Sequence, residues 1–108
     1  MNYGYQKVVE KSFEKTEELV REKLAENGFG ILTEISVNKA MKEKLNKNFR
    51  RYKILGACHP PSAFDALSEE LEIGPLLPCN VTVCENNDNT ITVTAIDAEK
   101  IIDNFKKE

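Results

Sequence analysis

The segments CNVTVCE (79–85) and TITVTAI (90–96) alternate apolar and polar residues, and the polar run ENNDN carries the chain from one into the other. Strict alternation puts Cys79, Val81 and Val83 on one side of a pleated strand and Asn80, Thr82 and Cys84 on the other. Asn and Asp favour turns because their short side chains hydrogen-bond nearby backbone and tolerate left-handed geometry. Two such strands so closely joined form an antiparallel hairpin. A lone hairpin is marginal in water, so the rest of the chain must extend its sheet and cover one of its faces.

The earlier segments supply those parts. YGYQKVVEK (3–11) is a first strand with Tyr3, Tyr5, Lys7 and Val9 on one side. FGILTEISV (29–37) is a second, with Phe29, Ile31, Thr33, Ile35 and Val37 on one face. YKILGAC (52–58) is almost continuously apolar, which predicts a central strand. Ser12 has the hydroxyl of a helix N-cap, and Phe13, Leu19, Val20 and Leu24 follow at helical spacing until Asn27-Gly28 ends the helix. Asn38 is expected to cap a short second helix with Ala40, Met41 and Leu45 inward. Pro61 suits the first turn of a third helix, with Ala63, Phe64, Leu67 and Leu71 inward and Ser62 and Asp65 at capping-box spacing. Asp97 is expected to cap a last helix carrying Ile101, Ile102 and Phe105. The order β-α-β-α-β-α-β-β-α predicts an α+β fold: a two-layer sandwich of one largely antiparallel sheet with helices mainly on one face. At 108 residues, the chain is a single domain spanning 1–108.

Charge narrows the partners. The net charge is −3 with both signs interspersed, so no basic field points to nucleic acid or anionic lipid. The local basic run KNFRRYK (47–53) reads as a solvated helix end and strand start. No apolar stretch approaches the roughly 20 residues of a membrane span, and MNYGYQKVVEKS lacks a signal-peptide pattern. A cytoplasmic location is therefore expected, where an odd set of three cysteines reads as thiols. The chain carries no Gly-rich phosphate loop, paired-histidine metal motif or serine nucleophile elbow. These absences argue against a conventional hydrolase or nucleotide enzyme.

All three cysteines and the only histidine fall within residues 57–85, ACHPPSAFDALSEELEIGPLLPCNVTVCE. Within and around this stretch, YKILGACHPPSAFDAL, EIGPLLPCNVTV and the earlier GFGILTEISV resemble domain-of-unknown-function family 302 over essentially the whole chain. The resemblance implies a TATA-binding-protein-like α+β sandwich, often a homodimer, widespread in bacteria and archaea, with no established activity. Edge strands that need cover are the only physical support for the dimer. Asparagine is expected more often where this chain has His59, so a role for His59 would be its own. Cys84 lies outside the motif.

Cys58 and Cys79 each stand at a proline-rich corner, at strand ends that can lie close together. Four chemistries fit them. They can be small buried apolar residues. With His59 they can form a soft-metal site, such as zinc, completed across a dimer or by solvent. Cys58, at a helix start that stabilises its thiolate, can act as a redox or persulfide carrier, with a transient disulfide to Cys79. Cys58, Cys79 and Asn80 can also line a pocket for a small organic or anionic ligand, aided by the helix N-terminus. For Asn80, tying down the corner after Pro78 comes ahead of ligand contact. The reading adopted is a small binding module with its site at the Cys58/Cys79 corners. The alternatives are a thiol carrier and a structural interaction domain with inert cysteines.

Overall fold

The predicted hairpin is the pair β4 (Cys79–Glu85) and β5 (Ile91–Ile96) of a computed structural model that describes residues 4–77 and 79–96. Before it come β1 (Gly4–Val9), α1 (Phe13–Glu26), β2 (Gly30–Ser36), α2 (Val37–Leu45), β3 (Tyr52–Cys58), α3 (Pro60–Glu69) and a 3-10 helix, Leu71–Leu76. The strands form one antiparallel sheet in the order β1-β5-β4-β3-β2. The fold is α+β, in the element order expected. Tyr3, Pro78 and the expected last helix after Asp97 lie outside the described residues.

Ser12 caps α1 as its hydroxyl predicted, accepting from Lys15 N at 3.1 Å. The helix lies on the side of the sheet that carries Val9, Leu55, Val81, Val83 and Ile91. Phe13, Val83 and Ile91 form the heart of the core, with Val9 and Val20 packed against them. Leu55 and Val83 are fully buried in the interior strands β3 and β4. Buried Thr16 is satisfied by donating to Ser12 O at 2.8 Å, as a buried hydroxyl requires.

Four charges fasten α1 to β2 and β3. Arg21 bridges Glu17 and Glu34, each at 2.8 Å, and Lys53 bridges the same two carboxylates at 3.1 and 2.9 Å. Hydrogen bonds from Arg21 and then Lys53 hold Glu34 down to about 2. Burial pushes Glu17 upward, but hydrogen bonds from Arg21 and Lys53 outweigh it and leave that carboxyl below its ordinary value. The basic run is thus more than solvated surface. Its Arg51 pairs with Glu14 at 2.6 Å and lies 4.3 Å from the Phe13 ring centroid.

Several local expectations are corrected. Asn38 does not cap α2, which begins one residue earlier. Its Oδ1 accepts instead from Tyr52 N at 3.3 Å, tying α2 to β3. Phe64 and Leu71 were expected inward but are 73% and 83% exposed. Helical spacing fixes a stripe but not how far the opposing surface extends beneath it. In β2 the pairing slips between Ile31 and Thr33, so Leu32 is an extra residue. An extra residue reverses strand parity. Ile31 and Glu34 therefore share the helix side, opposite Ala57 and Leu55, while Thr33 and Ile35 turn to the other face.

Candidate functional site

The backbone at the end of α1 sets one wall of the site. Gly28 N donates to Ala25 O at 3.1 Å and Phe29 N to Leu24 O at 2.9 Å. This is a Schellman closure, which needs a left-handed residue after the cap. Gly28 supplies it with φ +82°. The closure turns the chain sharply and delivers Phe29 to the entrance of β2.

The opposite wall comes from the end of β3. Cys58 is its last residue and His59 is the N-cap of α3, in extended geometry. Ala63 N donates to His59 O at 3.0 Å. The helix begins Pro60-Pro61, so its first two residues bring no N–H. That weakens the expected anion-binding and thiolate-stabilising pull on Cys58, because half of the usual unpaired donors of a helix start are missing. Ser62 does not act through the expected capping box with Asp65. Its Oγ lies 2.7 Å from His59 Nδ1, which fixes the imidazole across the first helical turn. The His59 ring meets Phe29, with centroids 5.4 Å apart at 46°.

These walls enclose a cleft of about 630 Å³ at the end of the sheet. Phe29, Cys58, His59, Ser62 and Cys79 line it, with Asn27, Ala57, Ala63, Ala66, Ile73 and Leu77 completing the surface. The residues singled out from the sequence are therefore partly united. Cys58, His59 and Cys79 border one cleft. Asn80 does not line it: it is exposed, and lies opposite Gly56 on the other face of the sheet. Cys84 stands on that face too, opposite Tyr52 and Thr92.

The two corner cysteines do not face each other squarely. Cys79 is in register with Ala57, whereas Cys58 is in register with Gly30 across the other ladder. Successive residues of β3 point to opposite sides, so the thiols approach the cleft from different faces. Neither is in a disulfide. Among the described residues, no group of three or more His, Cys, Asp or Glu side chains is placed to hold a metal ion. Cys58, His59 and Cys79 thus share a cleft without composing the expected metal site. Both thiols are only partly buried, which is also a departure from inert core packing. No helix among the described residues is long and apolar enough to cross a membrane.

Phe29, Ser62, Ile73 and Leu77 line the cleft although sequence reasoning did not single them out for it. Two had a local signal: Ser62 lies one helical turn from His59, and Phe29 follows the helix-ending glycine. Ile73 and Leu77 reach the cleft only because the 3-10 helix packs against α3, which nothing local announces.

Residues 5–108 match the family model described as domain of unknown function DUF302. No curated protein matches the chain. The crystal structure of an uncharacterized conserved protein DUF302 from Bacillus stearothermophilus is similar over 98% of this chain and 82% of that one, with a TM-score of 0.88 and 28% identity.

Proposed function

The chain belongs to the DUF302 family, and from that premise we propose that it is a binding module for a small, neutral, mainly apolar molecule held in the cleft between Phe29 and α3. The observation that carries this reading is the composition of the walls. In a chain that is 31% charged, no Asp, Glu, Lys or Arg among the described residues lines the cleft. Ligand sites of this kind are largely apolar, with a few polar groups that fix orientation. Here Phe29, Ala57, Ala63, Ala66, Ile73 and Leu77 supply apolar contact, and the His59–Ser62 pair and Asn27 supply hydrogen bonds. An anionic ligand would find no Lys or Arg among the described lining residues and a helix start short of donors.

The test uses N-phenyl-1-naphthylamine, a neutral apolar probe that fluoresces on leaving water. Saturable binding at one site per chain is expected. Ala66→Trp, which fills the cleft, should abolish it, while Leu71→Ser on the exposed surface should not. Equal binding by both variants would sink the proposal.

A second reading follows from the placement of two thiols, Cys58 and Cys79, at the border of one cleft. A carrier that uses the Cys58 thiol predicts faster alkylation at Cys58 than at Cys84, the thiol outside the cleft. Equal rates at the two would remove this reading and leave the non-covalent one standing.

A further inference from the structure

Asn27 has two roles in the structure: it is the C-cap of α1 and it lines the cleft. The residue after it is Gly28, which makes the one Asn-Gly pair of the sequence. Asparagine side chains are chemically labile. A following glycine exposes them most, because without a Cβ nothing shields its amide nitrogen from the neighbouring carboxamide. The reaction needs only water. Gly28 N gives up its proton and bonds to Asn27 Cγ, closing a five-membered succinimide. Nδ2 leaves with that proton as ammonia. Water then opens the ring at Cγ, giving aspartate, or at the backbone carbonyl, giving isoaspartate with one extra carbon in the main chain.

The fold holds the pair short of this reaction in three ways. Gly28 N–H is engaged with Ala25 O at 3.1 Å. The carboxamide is engaged through Nδ2, which donates to Lys23 O at 2.7 Å. Ring closure needs Asn27 Cβ and Gly28 N eclipsed about the Cα–C bond, and the cap conformation, φ −98° and ψ 13°, does not eclipse them. All three features belong to the closing turn of α1, so one local opening releases them together. Helix ends open far more readily than cores. Asn27 is also exposed, so water reaches it.

We infer that Asn27 is a site of spontaneous deamidation, timed by fraying of the last turn of α1, and that the product closes the cleft to neutral ligands. Aspartate places a carboxylate among lining residues that otherwise carry no Asp, Glu, Lys or Arg among those described, and a carboxylate resists leaving water for an apolar ligand. Isoaspartate lengthens the turn whose bond from Phe29 N to Leu24 O, 2.9 Å, delivers Phe29 to the cleft. The effect on binding rests on the ligand reading above; the modification itself does not.

The experiment ages the whole chain at neutral pH, folded or in urea, and follows each asparagine by peptide mapping with an isoaspartate assay. In urea, Asn27 should convert fastest. Asn86, Asn87 and Asn89 are internal controls, since each precedes a residue with a side chain. Folding should slow Asn27 at least tenfold. Ala25→Gly, which loosens the closing turn, should speed the folded chain several-fold and leave the rate in urea unchanged. Leu55→Val, in the core, should leave the folded rate unchanged. Equal rates folded and in urea, a different leading site in urea, or acceleration by Leu55→Val as great as by Ala25→Gly would each overturn the proposal. The aged chain and Asn27→Asp should both bind N-phenyl-1-naphthylamine at least threefold more weakly than the fresh parent, and undiminished binding by both would overturn the effect on the cleft. A fresh parent that does not bind the probe sinks the ligand reading, and the peptide map still decides the modification.

Discussion

Gly28 and His59 meet edge to backbone: a Cβ built on Gly28 would lie 3.1 Å from His59 Cδ2 and 3.3 Å from Nε2. The glycine thus answers two demands, a left-handed turn at φ +82° and room for the imidazole. Gly28→Ala should cost about 1–2 kcal/mol from the left-handed strain alone. It should also displace His59 from Phe29. Thermal unfolding would show a fall of roughly 4–8 °C for each kcal/mol in a domain this size. An unchanged melting temperature would show that the turn relaxes at no cost.

Leu55 is wholly buried in β3, beneath α1. Leu55→Ala should destabilise the chain by about 2–5 kcal/mol, the sum of lost burial and a residual cavity. Urea unfolding should show a lower midpoint with an unchanged slope. A loss under 1 kcal/mol would mean that the core closes over the gap.

Acid should loosen the clasp between α1 and the sheet. Glu34 titrates at about 2 in the folded chain against an ordinary 4.5, so its contribution is full above about pH 5 and is lost as pH falls toward 2. Since Glu34 is 44% exposed, solvent screens the pairs and the contribution is about 1 kcal/mol or less. Denaturation midpoints at pH 6 and pH 3 would measure it. Glu34→Gln should flatten that pH dependence, and a variant as acid-sensitive as the parent would locate the effect elsewhere.

Phe64 and Leu71, despite helical spacing that points them inward, stand largely in water. Phe64→Ser and Leu71→Ser should each change stability by no more than about 0.5 kcal/mol, as surface substitutions do. A loss above 2 kcal/mol by calorimetry would show that these side chains are covered in solution.

The parts of the fold legible in the sequence are those set by near neighbours. Period-two alternation revealed β4 and β5, and Ser12 and Gly28 marked the ends of α1. What failed depended on a partner elsewhere in the chain. The Leu32 slip is decided by pairing with β3, so the face of Ile35 could not be read from β2 alone. Asn38 has the chemistry of a cap, but Tyr52 N claims its oxygen. The pairs of Glu34 with Arg21 and Lys53 could not be read from β2, because both partners come from other elements. At the site, the proline corners correctly drew Cys58, His59 and Cys79 to one region. Strand parity then separated Asn80 from them, and distant packing added Ile73 and Leu77.

The pairing of β1 with β5 joins the first described strand to the last. Strands β2, β3 and β4 each pair with their successor, so that ladder grows by sequential closures as the chain is made. β1 must wait, because Val9 finds its register partner Ile91 only after the whole ladder has been synthesised. Contacts so far apart in sequence form slowly. During translation, β1 is therefore housed only after the four described strands that follow it, and its delay leaves the nascent sheet with an unsealed flank until β1 returns.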